Sequence, residues 1–204
     1  NFKPEVIILD DGFQHRSIER DLDIVLINSK DKKSDHKLLP FGLLREPLSS
    51  LRRADILIFT KTNLMQPKEF LNKSVASAKK PYFSSTLEAE APASFNGETL
   101  LVKKGTRVVA LSAIADTNGF ITTLKQLGVE IVDHFNFVDH YAYRQLDLER
   151  VAEQVKSHNV KAVITTEKDM IKLAPLDPLG MKIYSVKVTF CMDKDDTKKL
   201  LDFI

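Results

Sequence analysis

The sequence is poor in several residues that would point to particular classes of protein. It has one cysteine, no tryptophan and seven glycines among 204 residues. The lone cysteine, Cys191, excludes an internal disulfide, and no Cys/His cluster has zinc spacing, so we expect a reducing compartment. No apolar run approaches the roughly 18 residues of a membrane-spanning helix, and no charged-then-apolar leader opens the chain. We therefore expect no transmembrane segment in these residues.

Charge balance and glycine spacing argue against two further classes. The 30 Lys and Arg residues nearly balance the 28 Asp and Glu residues, leaving a formal charge of +2, which argues against a nucleic-acid partner. The seven glycines contain no GxxxxGK[ST] pattern, so the chain carries no phosphate loop of its own. The chain starts at Asn1, without methionine, almost directly in an apolar run. This start predicts a fragment whose earlier elements precede it.

The first part of the chain alternates apolar runs with stretches compatible with helices. Three runs end in polar residues and predict strands of a buried parallel sheet: Glu5–Asp10, Asp23–Asn28 and Asp55–Thr60. Leu48–Arg53 and Pro67–Lys79 are compatible with helices. This alternation predicts an open α/β sheet, in which ligands bind at the carboxyl ends of the strands.

The texture changes after Pro81. Asn96-Gly97 is a hairpin signal between extended segments, because both turn residues of the favoured turn need positive φ. We expect a second α/β unit to begin near Arg107, with helices over 118–127 and 146–158 and strands over 129–135, 161–169 and 181–190. The predicted organisation is a partial α/β sheet over 1–81, a two-stranded β linker over 82–103 and a smaller C-terminal α/β subdomain over 104–204.

The first segment with chemical potential is LDDGFQH. An apolar strand that ends in Asp10 and Asp11 is typical of a strand that holds Mg²⁺ opposite bound phosphates. Both carboxylates can face one metal only where the strand breaks, and we assign that break to Gly12. His15 follows four residues after Asp11 and can curl back over the site as a proton carrier or phosphate donor. A bare acid pair is also typical of helix capping, so the pair alone does not decide.

The second segment is LPFGLLREPLSSLRRAD. Pro40, Gly42 and Pro47 predict a shaped loop, and Arg45-Glu46 lies within it. An arginine in such a loop suits bidentate recognition of phosphate. Arg52 and Arg53, on the helix that follows, are interpreted as solvated surface charges.

Two later segments are open to structural and functional interpretations. FNFVDHYAY places Asp139-His140 among aromatic residues ahead of a helix, a pattern that also fits a capping acid beside an incidental histidine. ITTEKDMIKL reads as a strand that ends in a helix cap and salt pairing.

Taken together, these segments resemble one family. LDDGFQH, LPFGLLREPLSSLRRAD, a Gly-Phe followed by TLKQLGVEIV, FVDHYAY and TTEKDMIKL occur in this order in the lipid A 4'-kinase family. The resemblance covers essentially the whole chain, and it implies a phosphate-loop-nucleotidase-like core for the first part.

The resemblance implies an activity, a cofactor and a location. The family moves the γ-phosphate of ATP, with Mg²⁺, to the 4'-hydroxyl of a tetraacyldisaccharide 1-phosphate in lipid A biosynthesis. The glycolipid is met at the cytoplasmic face of the Gram-negative inner membrane. The phosphate loop, the general base and a membrane-associating helix are expected before Asn1, so the 204 residues alone are expected to be inactive.

The resemblance also implies roles for particular residues. Asp10 and Asp11 match the metal-binding acid pair, and His15 lines the same site. Gln14, Arg45 and Glu46 match substrate-binding positions, and His140 matches a histidine that assists the general base. Lys61, directly after DILIFT, resembles an ATP-proximal position in related nucleotidases. The candidate site residues are therefore Asp10, Asp11, Gln14, His15, Arg45, Glu46, Lys61 and His140.

Departures from the family and competing interpretations limit this assignment. Relatives often carry a second histidine where this chain has Tyr141, and a Gly-Ile-x-Asn-Pro pattern where it has residues 113–117. A phospho-receiver module also has an acid pair and no phosphate loop, but its phospho-accepting aspartate ends an early strand, where this chain has Asn28. A non-catalytic α/β binding or interaction fragment remains the alternative.

Overall fold

The computed structural model describes residues 3–203, which form two α/β units. One unit contains the residues up to Leu87 and those from Phe190 onward, and the other contains Glu88–Thr189. Each has its own sheet with parallel strand pairs, which confirms the predicted fold class. No helix within the described range is long and apolar enough to cross a membrane.

The first unit is built on a four-stranded sheet in the order β1-β2-β3-β9. Its elements are β1 (Ile24–Asn28), a 3-10 helix (Leu48–Arg53), β2 (Ile56–Thr60), α1 (Glu69–Ala78), β3 (Tyr82–Ala89), β9 (Val188–Met192) and α5 (Lys194–Leu201). β2 is buried on both faces: Leu57 and Phe59 pack toward α1, and Ile56 and Ile58 pack toward α5. β1 and β3 pair with it in parallel. The continuous apolar run of β2 therefore marks the centre of this sheet.

The predicted strand over Glu5–Asp10 is wrong. These residues are in no strand, and Val6, Ile7 and Ile8 are 68%, 81% and 88% exposed. An apolar run becomes a strand only when a neighbouring backbone accepts and donates its hydrogen bonds. Among the described residues, the run pairs with no strand.

The second unit has a five-stranded sheet in the order β4-β8-β7-β5-β6. Its elements are β4 (Ala93–Ser94), β5 (Thr106–Ser112), α2 (Thr117–Gln126), β6 (Val129–Asn136), α3 (Gln145–Ser157), β7 (Val163–Thr166), α4 (Glu167–Leu173) and β8 (Ile183–Val186). Only β4 pairs antiparallel among the pairings described. Alternate residues of β5 pack with α2 on one face and with α3 on the other, so β5 is buried from both sides. α2, α3 and β6 agree with the predicted elements to within one residue, whereas the strand predicted over 161–169 ends at Thr166, where α4 follows.

The segments that join the units differ from the two-stranded linker over 82–103. β3 extends the first sheet, and Gly97 alone of the Asn96-Gly97 pair has positive φ, at 81°. A turn is still present there, since Gly97 N donates to Ser94 O at 2.9 Å and Ala93 bridges Thr99. The single strand predicted over 181–190 is two strands, β8 and β9, in different sheets. Residues from Phe190 onward, including α5, belong to the first unit.

Candidate functional site

The LDDGFQH segment forms a loop in the first unit, in which the chain reverses its direction. Asp11 adopts a left-handed backbone conformation with φ of 52°, which Asp tolerates better than most residues. The chain then turns back, and His15 N donates to Gly12 O at 2.9 Å. The chain therefore turns at Asp11 rather than at Gly12, and the turn does not break a strand, because residues 5–10 form none. A Cβ at Gly12 would meet the Leu9 side chain, which would have to shift to make room for it.

Phe13 anchors this loop to the body of the unit. It packs against the core cluster that contains Ile27, Leu51 and Leu57. The guanidinium of Arg53 lies over its ring, 4.6 Å from the centroid, at the distance of a cation–π contact. The acid pair is therefore held by the aromatic residue that follows it.

Charged contacts join the LDDGFQH loop to the LPFGLLREP segment. Arg45 Nη1 lies 2.9 Å from Asp11 Oδ2, and Arg53 Nη1 lies 2.7 Å from Glu46 Oε2. Arg16 makes a longer contact of 3.5 Å with Glu46. The hydrogen bond from Arg53 holds the pKa of Glu46 below its ordinary value. The structure thus brings Asp11, which the resemblance implies as a metal ligand, next to Arg45 and Glu46, which it implies as substrate-binding residues.

The contact between Asp11 and Arg45 is open to solvent. Their side chains are 67% and 60% exposed, and Asp10 is exposed as well. An exposed ion pair contributes roughly 0–1 kcal/mol to stability. Both groups are therefore accessible to a ligand and contribute little to the stability of the fold.

Three other predicted residues lie in defined surroundings. Gln14 is half-buried, and its amide oxygen is buried without a hydrogen-bond partner among the described residues. His15 is exposed, with Nδ1 3.0 Å from Ser17 Oγ. Lys61 follows directly after β2 with φ of 60°.

The acid pair has the oxygen donors that Mg²⁺ prefers. Mg²⁺ is commonly held by one or two carboxylates together with substrate phosphates and water. Among residues 3–203, no three His, Cys, Asp or Glu side chains are grouped closely enough to hold a metal by themselves. Asp10 and Asp11 supply the type of oxygen ligand that Mg²⁺ takes together with phosphate and water.

The FVDHYAY segment forms a turn in the second unit with His140 at its tip. Tyr141 N donates to Val138 O at 3.1 Å, and His140 has φ of 62°. Asp139 Oδ1 accepts from the His140 backbone N–H at 3.0 Å. The His140 side chain is 74% exposed. This geometry presents the imidazole to solvent on a defined turn.

The TTEKDMIKL segment supports that turn. Thr166 caps α4 and accepts from Asp169 N at 3.1 Å, as the sequence indicated. Lys168 Nζ lies 3.3 Å from His140 Nε2 and 3.6 Å from Asp139 Oδ1. Lys168 therefore connects the TTEKDMIKL segment to the FVDHYAY turn.

Sequence reasoning missed Arg53 and Lys168. Arg53, interpreted as a solvated charge, contacts both Glu46 and Phe13; Arg52 is exposed as expected. At the end of the 3-10 helix, Arg53 and not Arg52 faces the LDDGFQH loop. No signal in the sequence paired Lys168 with His140.

Comparison with known proteins identifies the family of the chain. A family model described as "Tetraacyldisaccharide-1-P 4'-kinase" matches residues 1–204. The chain belongs to this family. A tetraacyldisaccharide 4'-kinase from Desulfatibacillum aliphaticivorans is 32% identical over 100% of this chain and 56% of that protein. One from Aquifex aeolicus is 36% identical over 91% of this chain and 54% of that protein.

A solved structure of the same family has a similar fold. The "apo" form of LpxK from Aquifex aeolicus in complex with ATP has a TM-score of 0.67 and 32% identity. The match covers 98% of this chain and 57% of that one. The chain thus spans about half the length of the tetraacyldisaccharide 4'-kinases that it matches.

Proposed function

We propose that these residues form the acid-bearing part of an ATP-dependent kinase that phosphorylates the 4'-hydroxyl of tetraacyldisaccharide 1-phosphate. Membership of the family supports the reaction, and ATP in the Aquifex aeolicus structure supports the co-substrate. The acceptor is a glycolipid, so the reaction would take place at the cytoplasmic face of the inner membrane with the protein bound peripherally.

The contact between Asp11 and Arg45 is the observation that carries the proposal. It joins residues 34 positions apart at 2.9 Å, and it combines carboxylates suited to Mg²⁺ with a guanidinium suited to phosphate. Such a pair would be suited to a magnesium-bound phosphate. On binding, Arg45 would exchange its contact with Asp11 for a contact with the ligand.

Each candidate site residue of the first unit would have its own role. Asp10 and Asp11 would hold Mg²⁺, which supplies charge neutralisation to the transferred phosphoryl group. Arg45 and Glu46 would orient the phosphorylated sugar head. The amide oxygen of Gln14, which has no hydrogen-bond partner among residues 3–203, would accept a hydrogen bond from the substrate. His15 would line the same part of the site. Lys61, directly after β2, would lie near the phosphates of ATP.

His140 would act from the second unit. It would assist a general base supplied by a part of the kinase outside these 204 residues. An imidazole hydrogen-bonded to a carboxylate fixes the orientation of that carboxylate and tunes its proton affinity. The exposed turn that carries His140 leaves the imidazole available for this contact.

The isolated 204-residue chain should show no turnover. Mg·ATP needs the backbone amides and lysine of a phosphate loop as well as the acids, and the sequence lacks that loop. Measurable transfer from γ-labelled ATP to the disaccharide by the isolated chain would contradict this proposal.

The functional test uses a full-length protein that contains these residues. His140→Ala should lower turnover while ATP affinity stays near normal, because the imidazole acts on the base and not on the nucleotide. His158→Ala, at the C-cap of α3, is the matched control and should leave turnover unchanged. Unchanged turnover in His140→Ala would remove His140 from the mechanism.

A further inference from the structure

The backbone of Lys168 is fixed by buried interactions of the next residue, Asp169. Asp169 is fully buried and accepts from Ala113 N at 3.0 Å and from Thr166 Oγ1 at 2.8 Å. These contacts tie the start of α4 to the end of β5. Because Lys168 directly precedes Asp169 in that first turn, its side chain starts from a fixed backbone position.

The Lys168 amine can make one kind of hydrogen bond to His140. An ammonium group has three donors and no acceptor. Its Nζ lies 3.3 Å from His140 Nε2, so Nε2 must supply a lone pair. The Asp139 carboxylate lies 3.6 Å from the same Nζ.

Asp139 does not compete for the same ring nitrogen. Its Oδ2 lies 3.8 Å from His140 Nε2, which is too long for a hydrogen bond. Its Oδ1 already accepts from the backbone N–H of His140. An Nε2–H proton therefore has no acceptor in this turn among residues 3–203, whereas an Nε2 lone pair has a donor.

We propose that Lys168 is a positioning residue that holds His140 in the neutral form protonated at Nδ1. Lys168 donates to Nε2, and the Nδ1–H bond becomes the polar edge that the imidazole presents. The consequence for catalysis rests on the function proposed above: His140 would donate a hydrogen bond from Nδ1 to the carboxylate base and would not take the substrate proton itself.

The test reads the tautomer directly in the 204-residue chain. Long-range ¹H–¹⁵N correlation spectra of ¹⁵N-histidine-labelled protein distinguish Nδ1–H from Nε2–H. Spectra are recorded well above the ordinary imidazole pKa of about 6.5, and the His140 signals are assigned with His140→Gln. We expect the Nδ1–H form to predominate in the unmodified chain.

Variants of the lysine supply the controls. Lys168→Met should return His140 to a majority Nε2–H form, the usual preference of a free imidazole, whereas Lys168→Arg should retain the Nδ1–H majority because it keeps a donor. Lys161→Met, at an exposed lysine before β7, should change nothing. A majority of Nε2–H in the unmodified chain, or identical tautomers in it and in Lys168→Met, would overturn the proposal.

These outcomes are separable from the fate of the proposed kinase function. If Nδ1–H predominates but His140→Ala leaves the turnover of the full-length protein unchanged, the role of Lys168 stands and the role of His140 in catalysis fails. If Nε2–H predominates but His140→Ala abolishes turnover, the role of Lys168 fails alone.

Discussion

Replacing Asp169 with alanine should destabilise the second unit more than any surface change. The Asp169 carboxylate is fully buried and has three partners: Ala113 N at 3.0 Å, Thr166 Oγ1 at 2.8 Å and Lys172 Nζ at 3.0 Å. Alanine removes all three contacts at once. It also releases the link between α4 and the end of β5.

The size of the effect follows from the groups left behind. A buried N–H without an acceptor, here that of Ala113, costs about 1–3 kcal/mol. Removing one partner of a buried ion pair costs roughly 3–5 kcal/mol. Lys172 is 23% exposed and regains some hydration, so the total should be near the lower figure, at about 3 kcal/mol. This is a large share of a typical stability of roughly 5–15 kcal/mol.

Urea unfolding measures this loss of stability. Amide signals of residues 106–173 report the second unit separately from the first. Glu149→Ala, at an exposed position of α3, is the control and should stay within about 0.5 kcal/mol of the unmodified chain. A loss for Asp169→Ala as small as that of the control would refute the assignment of Asp169 as the buried anchor.

Three further changes test other parts of the structure. Phe13→Ala should destabilise the first unit by about 1–2 kcal/mol in urea unfolding, less than a fully buried Phe because Phe13 is half-buried. Gly128→Ala should cost about 1–2 kcal/mol by the same assay because φ there is 85°; the nearest atom to the new Cβ lies 3.6 Å away, so the cost is backbone strain. Burial lowers the pKa of His134. Its contribution to the free energy of unfolding should therefore be fully present above a pH of about 6.5 and should fall as the pH drops below that value. His134→Gln should reduce this pH dependence of stability between pH 7.5 and pH 5.

Each of these three has a result that would count against it. Phe41→Ala, at a residue 84% exposed, is the control and should leave stability unchanged. An equally small loss of stability in Phe13→Ala would mean that Phe13 does not anchor the acid loop. A neutral Gly128→Ala would show that the turn before β6 accepts an ordinary residue. The same pH slope with and without the His134 imidazole would assign the slope to other groups.

Much of the fold could be predicted because its strands carry a local signal. β2 was predicted over Asp55–Thr60 and spans Ile56–Thr60, since burial on both faces demands an unbroken apolar run. The same logic failed at Glu5–Asp10, because strand formation also depends on a pairing partner that the run itself does not encode. It also failed between β8 and β9, where nothing in the apolar pattern marks a change of sheet at Lys187.

The candidate site divides along similar lines. Asp11, Arg45 and Glu46 were assigned through the resemblance to the family, and Asp11 and Glu46 lie within reach of Arg45 and Arg53. The partners of Arg53 and Lys168 depend on which way a helix faces after folding. A helix of only one or two turns has too few residues for its sequence pattern to indicate that direction.

Phosphoryl transfer from ATP to tetraacyldisaccharide 1-phosphate by a full-length protein containing these residues tests the central claim most directly. If the Asp11 carboxylate faces the magnesium-bound phosphates, Asp11→Asn should lower kcat by at least about a hundredfold, the scale on which a lost electrostatic contact to the transition state acts. Asp21→Asn, at an exposed aspartate of the same unit, should leave kcat unchanged. Equal activity of the two variants would contradict the claim.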